Sequence, residues 1–189
     1  MSKFVIIGYK YREDSVKTVI KGTPVIREGT IIYNDVIIDE KFVTGHNVLI
    51  REKTSIGKNV LIGTNTVIEG NVKIGNNVRI QSNCFIPTNV VIMDNVFIGP
   101  NVTFTNDKYP LKNRNNYKPN GAVIKNNVSI GAGSVIGPGV VVGENSFIGS
   151  GSNVLKSVES YKLVYGNPAK SFHLPKKLEG KNLIKWKKF

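Results

Sequence analysis

Residues 56–103 read IGKNVLIGTNTVIEGNVKIGNNVRIQSNCFIPTNVVIMDNVFIGPNVT, and every sixth residue of this stretch is isoleucine. The same spacing extends outward in both directions. From Ile20 to Phe104 the first position of each six-residue unit holds a large apolar residue, with the single exception of Thr44. The fifth position is mostly valine or another small or β-branched residue. The chain is therefore built on a hexapeptide repeat.

A hexapeptide repeat of this length is typical of a parallel β-helix. Each unit supplies a short strand and a corner, and three units close one 18-residue coil. Coils stack at the spacing of neighbouring strands, ~4.8 Å. The isoleucine column points inward, and each fully buried isoleucine contributes about 1.5–3 kcal/mol. The sequence thus predicts an all-β protein, a parallel β-helix of about seven coils.

The fourth position of the unit is repeatedly asparagine, glycine or aspartate. Asparagine and glycine tolerate the left-handed backbone that a tight corner requires. Three corner columns with a spacing of 18 residues are predicted: Asn47, Asn65, Asn83 and Asn101; Asn59, Asn77 and Asn95; Asn71, Asn89 and Asp107. Stacked asparagine side chains can also hydrogen-bond along a column.

One insertion interrupts the repeat. The apolar column stops at Phe104 and resumes at Ile124, and this separation of 20 residues is not a multiple of six. We predict a protruding loop over residues 105–123, because an insertion of this length without its own pattern is usually functional or disordered. The predicted organisation is an N-terminal cap (1–19), the β-helix (20–157) and a C-terminal extension (158–189).

Composition narrows the setting of the protein. No stretch approaches the ~18 apolar residues of a membrane span, and the single cysteine, Cys84, cannot form an intramolecular disulfide. We therefore expect a cytoplasmic protein without a membrane or nucleic-acid partner. The net charge of +13 is spread along the chain, with one concentration in the tail at 176–189. Such a charge suits small polyanionic ligands.

Four segments resemble the hexapeptide-repeat acyltransferases, whose fold is a left-handed parallel β-helix. They are IQSN (80–83), FIGP (97–100), FTNDKYP (104–110) and VYGNPAK (164–170). The first three look most like nucleotide-sugar N-acetyltransferases, which acetylate an amino group on a UDP- or dTDP-linked 3-amino sugar for surface glycans. The resemblance implies a homotrimer with active sites between subunits, acetyl-CoA as acyl donor, and a nucleotide-linked amino sugar as acceptor.

The resemblance also implies where coenzyme A lies. Its pantetheine arm would follow the later coils, where small residues form one stripe at an 18-residue spacing: Gly131, Ala132, Gly149 and Ser150. The closing segment VYGNPAK adds Asn167, and Lys170 as a point charge for a phosphate. The alternative for the stripe is that corners need small residues for packing alone.

The loop departs from many relatives because it contains no histidine. An amine acceptor needs less help from a base than a hydroxyl does. The resemblance of IQSN assigns Asn83 to the amine, since an amide oxygen can accept a hydrogen bond but cannot serve as a true base. Asp107 is the candidate for holding the proton. For both, a purely structural role in a corner column stays open.

The remaining candidates are residues for acceptor binding. Asn106 lies in the loop, Tyr109 could pack against a sugar or pyrimidine ring, and Arg114 could pair with a diphosphate. His46 lies in the coils below Asn83 and is interpreted as a structural or substrate-contacting residue rather than a base.

Three other functions compete with amine acetylation. A carbonic anhydrase on this fold requires three zinc-binding histidines, and the chain has only His46 and His173. A non-catalytic scaffold does not account for the single loop and the VYGNPAK ending. Acetylation of a hydroxyl on a sugar or another small molecule remains the strongest enzymatic alternative, and no metal cofactor is expected.

Overall fold

The computed structural model describes residues 4–112, 115 and 117–184, and these residues form a three-sided parallel β-helix. The first sheet contains β1 (Ile6–Tyr9), β3 (Ile31–Tyr33), β6 (Leu49–Ile50), β9 (Val67–Ile68), β12 (Phe85–Ile86), β15 (Thr103–Phe104), β18 (Val135–Ile136) and β21 (Asn153–Val154). The second sheet contains β2 (Val19–Ile20), β4 (Ile37–Ile38), β7 (Ser55–Ile56), β10 (Lys73–Ile74), β13 (Val91–Ile92), β16 (Val123–Ile124) and β19 (Val141–Val142).

The third sheet contains β5 (Phe42–Thr44), β8 (Val60–Ile62), β11 (Arg79–Ile80), β14 (Phe97–Ile98), β17 (Ser129–Ile130), β20 (Phe147–Ile148), β22 (Lys162–Gly166) and β23 (Ala169–His173). Only β23 pairs antiparallel to its neighbour among the described strands. A single short 3-10 helix, Lys176–Leu178, follows. The helices of the described residues include none long and apolar enough to cross a membrane. The predicted all-β helical fold of about seven coils is confirmed, with seven or eight strands in each sheet.

The strand register follows the repeat directly. Ile62 pairs with Ile80 across one coil, a separation of 18 residues. Val91 pairs with Val123, which are 32 residues apart. One coil therefore contains the loop as 14 extra residues, and the coils above it resume the same stacking. Because β15 ends at Phe104 and β16 begins at Val123, the loop comprises residues 105–122, one residue fewer than predicted.

The isoleucine column fills the interior. Ile62, Ile80 and Ile98 have no exposed surface, and the valines of the fifth position close the gaps between them. The hydroxyls that replace valine in this layer are satisfied internally, as where the Ser134 hydroxyl donates to the carbonyl oxygens of Gly131 and Gly149 at 2.9 and 3.0 Å. The core is thus continuous from the second coil to the last.

Left-handed backbone occurs at the predicted corners. Asn47, Asn65, Asn83 and Asn101 have φ between 55° and 59°. Side-chain ladders form in the other columns, for example from Asn59 Nδ2 to Asn77 Oδ1 at 2.8 Å. Asp107 does not continue the column of Asn71 and Asn89, because it is absent from the left-handed residues. The prediction that Asp107 is a corner residue is wrong, since the chain leaves the coil at that point.

The C-terminal segment returns along the outside of the helix. Asn182 joins three coils: its Nδ2 donates to the carbonyl oxygens of Asn95 and Val128, at 2.9 and 3.1 Å, and its Oδ1 accepts from Ser129 Oγ at 3.0 Å. Residues 158–166, assigned to the extension by their sequence, carry the β-helix further, because β22 pairs in parallel with β20.

Asp35 fastens the N-terminal segment to the first coils. It accepts hydrogen bonds from Tyr11 Oη at 2.6 Å and from the Val16 backbone N–H at 2.8 Å, and Arg12 lies 3.3 Å away. The Tyr11 hydrogen bond is the main reason that the pKa of Asp35 is lowered, and the same bond raises the pKa of Tyr11 to about 12. Strand β1 thereby becomes the end strand of the first sheet.

We expect this contact to stabilise the fold only within a pH window. A lowered carboxylate pKa stabilises the fold above the ordinary aspartate value of about 4 and loses that contribution as pH falls through the lowered pKa. A raised tyrosine pKa stabilises below the ordinary value of about 10 and loses its contribution toward higher pH. The difference in melting temperature between the wild type and Tyr11→Phe should therefore be constant near neutrality and shrink at both extremes. A difference that does not change with pH would contradict the assignment.

Candidate active site

Two corners of the β-helix carry the candidate residues. The loop corner joins the first sheet to the second, and the loop 105–122 leaves from it. The Asn83 corner joins the third sheet to the first, and it contains His46, Asn83 and the stripe of small residues. One strand of the first sheet separates the two corners, so five residues from Asn101 to Asn106 span roughly 16 Å at the rise of a β-strand. Within one chain the structure does not bring Asn83 and Asp107 together.

The base of the loop is held by hydrogen bonds to the coils. Asn106 donates from Nδ2 to the carbonyl oxygen of Thr88 at 3.2 Å and accepts from the Asn120 backbone N–H at 2.9 Å. Asn89 Nδ2 donates to the carbonyl oxygen of Pro119 at 2.7 Å. The two ends of the loop are therefore tied to the same corner. Asn106 keeps its side-chain oxygen available.

A depression of about 150 Å³ lies between the loop and the coils. Its lining consists of Asn106, Asp107, Lys108, Tyr109, Tyr117, Lys118, Asn120 and Pro138. Asp107 accepts the Tyr109 backbone N–H at Oδ1, 2.8 Å away, which stabilises the turn into the loop. The Tyr109 ring is 58% exposed, with the Lys108 ammonium 5.5 Å from its centre. Three predicted residues, Asn106, Asp107 and Tyr109, thus share one depression, and Arg114 lies outside the described residues.

Asn83 is exposed at its corner, with φ of 59°. Its backbone N–H donates to the carbonyl oxygen of Thr64 at 2.8 Å, as in every coil of this column. Its side chain makes no hydrogen bond to any described residue, whereas Asn47 donates to Asn65 in the same column. The Asn83 amide is therefore free to contact a ligand, even though its backbone performs the corner role.

His46 lies two coils below Asn83 at the same corner and is exposed. Its backbone N–H donates to Thr64 Oγ1 at 3.2 Å, and its carbonyl oxygen accepts from the Asn65 N–H at 2.9 Å. His173 lies on β23 at the opposite end of the molecule. Among the described residues no group of histidine, cysteine and acidic side chains could hold a metal ion.

The small residues of the Asn83 corner have a packing reason. A Cβ placed on Gly131 would overlap the Ser150 backbone nitrogen, and a Cβ on Gly149 would lie 2.8 Å from the Tyr165 Cβ. Close stacking of successive coils therefore requires glycine at both positions. The same closeness leaves the outside of the corner shallow, with Ala132 and Ser150 beside it, so packing and ligand access are compatible.

A hairpin of β22 and β23 covers the top of this corner. Tyr165 and Phe172 stack with ring centres 4.6 Å apart and planes at 16°, and both rings are more than 40% exposed. Lys170 pairs opposite Tyr165 in the hairpin, and Asn167 in the turn accepts a hydrogen bond from Asn153 at 3.1 Å. Sequence reasoning missed the aromatic pair, although the alternation in KLVYGNPAKSFH (162–173) could have indicated a hairpin.

Cys84 is excluded as a nucleophile by its surroundings. The side chain is 2% exposed, and its Sγ lies 3.2 Å from the carbonyl oxygen of Gly99. Burial raises the pKa of the Cys84 thiol to about 11, so the reactive thiolate is scarce at neutral pH. The thiol serves as a small apolar residue of the core.

Comparison with known proteins identifies the repeat. The family model for the bacterial transferase hexapeptide, six repeats, matches residues 53–88, 71–106 and 121–156. The chain belongs to the hexapeptide-repeat transferase family. A search of curated protein sequences found no significant match.

Solved structures of hexapeptide-repeat transferases share the fold. The chain is 27% identical to an acetyltransferase of Vibrio cholerae O1 biovar eltor complexed with acetyl coenzyme A, with a TM-score of 0.57, covering 62% of this chain and 69% of that one. A maltose O-acetyltransferase from Clostridium difficile 630 is 28% identical, with a TM-score of 0.58 and coverages of 62% and 67%. A family protein from Anaplasma phagocytophilum is 23% identical with a TM-score of 0.63 over 92% and 87% of the two chains, which shows the fold alone.

Proposed function

We propose that this hexapeptide-repeat transferase is an acetyl-CoA-dependent N-acetyltransferase. Its acceptor would be the amino group of a nucleotide-linked amino sugar, for example a UDP-3-amino sugar used in surface-glycan synthesis. The observation that carries the proposal is the loop depression, which offers amide, carboxylate and tyrosine groups but no histidine in its sequence. A neutral amine attacks a thioester without the strong base that a hydroxyl requires.

In the proposed reaction the amine lone pair attacks the thioester carbonyl carbon, forming the C–N bond and an oxyanion. The C–S bond then breaks, and the thiolate of coenzyme A leaves and is protonated. Asn83 accepts a hydrogen bond from the amine N–H and so orients its lone pair. Asp107 holds the proton that the nitrogen loses. The rate gain comes mainly from orientation and charge stabilisation.

Asn83 and Asp107 act on one substrate only if the loop of one subunit faces the Asn83 corner of another. A homotrimer with sites between subunits, as the resemblance implies, would satisfy this requirement. The outer face of the first sheet supports such packing, because it presents an apolar row between the two corners: Ile31, Leu49, Val67, Phe85 and Val135. Phe85 and Val135 are 38% and 36% exposed in the single chain.

Acetyl-CoA would lie along Ala132 and Ser150 with its nucleotide end toward the hairpin. Support comes from charge: fourteen of the 26 Lys and Arg residues but only three of the 13 Asp and Glu residues follow residue 107. The later coils and the hairpin therefore attract a polyanion. Lys170 would meet a phosphate and Asn167 the adjoining backbone.

Replacing Tyr165 with alanine should raise KM for acetyl-CoA about tenfold, because stacking an aromatic ring on a base contributes about 1–3 kcal/mol. The turnover number at saturating acetyl-CoA should change little. Tyr161→Ala is the matched control, since Tyr161 is 54% exposed at a different corner. Equal effects of the two substitutions on KM would contradict a contact between Tyr165 and coenzyme A.

Acetylation of a hydroxyl is the second candidate, and it is favoured by the likeness to the maltose O-acetyltransferase. A paired-acceptor assay separates the two reactions. Acetyl-CoA is supplied with a nucleotide-linked 3-amino sugar and with the same sugar bearing a 3-hydroxyl, and thiol release is followed. The proposal expects turnover with the amine alone. Turnover only with the hydroxyl would establish the alternative, and no turnover with either would favour a scaffold.

A further inference from the structure

The loop depression has the size of one monosaccharide ring. Its volume of about 150 Å³ equals that of an engineered protein cavity that accommodates benzene, a six-membered ring. A complete nucleotide sugar is far larger. Whatever the remainder of the acceptor contacts, the depression therefore selects on the ring and on the substituents that the ring carries.

Two lysines on the lining lack an ion-pair partner. None of the ion pairs within the described residues includes Lys108 or Lys118. The only carboxylate of the lining is Asp107, and one of its oxygens already accepts the Tyr109 N–H. The depression thus combines one partly engaged carboxylate with two ammonium groups, which leaves a net positive charge.

We propose that the loop depression binds an amino sugar that carries an anionic substituent. Lys108 and Lys118 contact the anion, a carboxylate or a phosphate, while the free oxygen of Asp107 contacts the amine. Tyr109 and Tyr117 cover the apolar face of the ring, with Tyr117 40% exposed. This inference rests on the proposed acceptor class and sharpens it, because it excludes neutral amino sugars as good ligands.

The charge arrangement explains why both signs are needed. A lysine is a compact point charge that binds a carboxylate or phosphate without requiring planar geometry. Asp107 meets the amine from the other side of the depression, so an amino sugar without an anion satisfies only half of the lining. An uncharged sugar would leave both ammonium groups without a partner.

The test is calorimetric titration of the full chain, without acetyl-CoA, by glucosamine 6-phosphate, glucosamine 1-phosphate, 2-amino-2-deoxyglucuronate and glucosamine. At least one anionic sugar should bind about tenfold or more tightly than glucosamine. The position of the phosphate that binds best identifies where on the ring the anion lies. Glucosamine binding as tightly as all three anionic sugars would overturn the inference.

Lys118→Gln should reduce the affinity for the preferred anionic sugar about tenfold. Lys112→Gln is the matched control, because Lys112 belongs to the same loop and loses the same charge but does not line the depression. Similar losses for both variants would show a general field effect and overturn the contact. The proposed function fails separately: binding without N-acetylation would refute the reaction alone, whereas equal N-acetylation of neutral and anionic sugars would refute only this inference.

Discussion

Replacing Asn83 with glycine should lower the turnover number for amine acetylation about 100-fold, the scale on which a positioned hydrogen-bonding group contributes to catalysis. Glycine is the informative substitution because Asn83 has φ of 59°, a conformation that glycine adopts without strain. Alanine would combine the loss of the amide with a backbone penalty of about 1–2 kcal/mol. The Asn83 side chain makes no hydrogen bond to described residues, so the melting temperature should change only slightly.

The control for Asn83→Gly is Asn65→Gly. Asn65 occupies the same corner column one coil below, with φ of 57°. Both variants experience the same change of backbone and side chain, and only Asn83 is assigned to the amine. Initial rates and melting temperatures should be measured together. Equal losses of turnover in the two variants would reduce Asn83 to a corner residue and leave the amine without its proposed partner.

Replacing Ile80 with alanine should lower the free energy of unfolding by about 2–5 kcal/mol, the usual cost of a large-to-small change in a core. Ile80 has no exposed surface and lies between Ile62 and Ile98 in the isoleucine column. Neighbouring coils are fixed by hydrogen bonds on both sides, so the cavity cannot collapse easily. The expected loss is a large part of the total stability of a typical domain.

Ile37→Ala is the control for the core prediction. Ile37 belongs to the same repeat but points outward and is 56% exposed. Its replacement should cost well under 1 kcal/mol in a single chain, as for other surface positions. Urea unfolding of both variants tests the difference. Similar costs at Ile80 and Ile37 would contradict the assignment of the first position of the repeat to the interior.

The fold could be predicted because each six-residue unit repeats the same local choice. Isoleucine at the first position and asparagine at the corner specify the same coil many times over, so one misread position such as Thr44 changes nothing. Asp107 shows the limit of this reasoning. Its place in the 18-residue count matches a corner, but the chain departs there, and only the backbone path decides which alternative is realised.

The site was less predictable because its residues are brought together by the path of the loop. Asn106, Asp107 and Tyr109 were singled out, whereas Tyr117 and Lys118 were missed as lining residues, since they return to the depression from the far end of the loop. The stacked pair Tyr165 and Phe172 was missed because it depends on an antiparallel hairpin that the six-residue period does not encode.

The chemical linkage in the product tests the central claim most directly. The protein should be incubated with acetyl-CoA labelled with carbon-13 at the carbonyl and with a nucleotide-linked 3-amino sugar, and the product should be examined by nuclear magnetic resonance. The account predicts that the label couples to the sugar nitrogen as an amide and that free coenzyme A accumulates in equal amount. A label found in an ester to a sugar hydroxyl, with the amine unmodified, would contradict it.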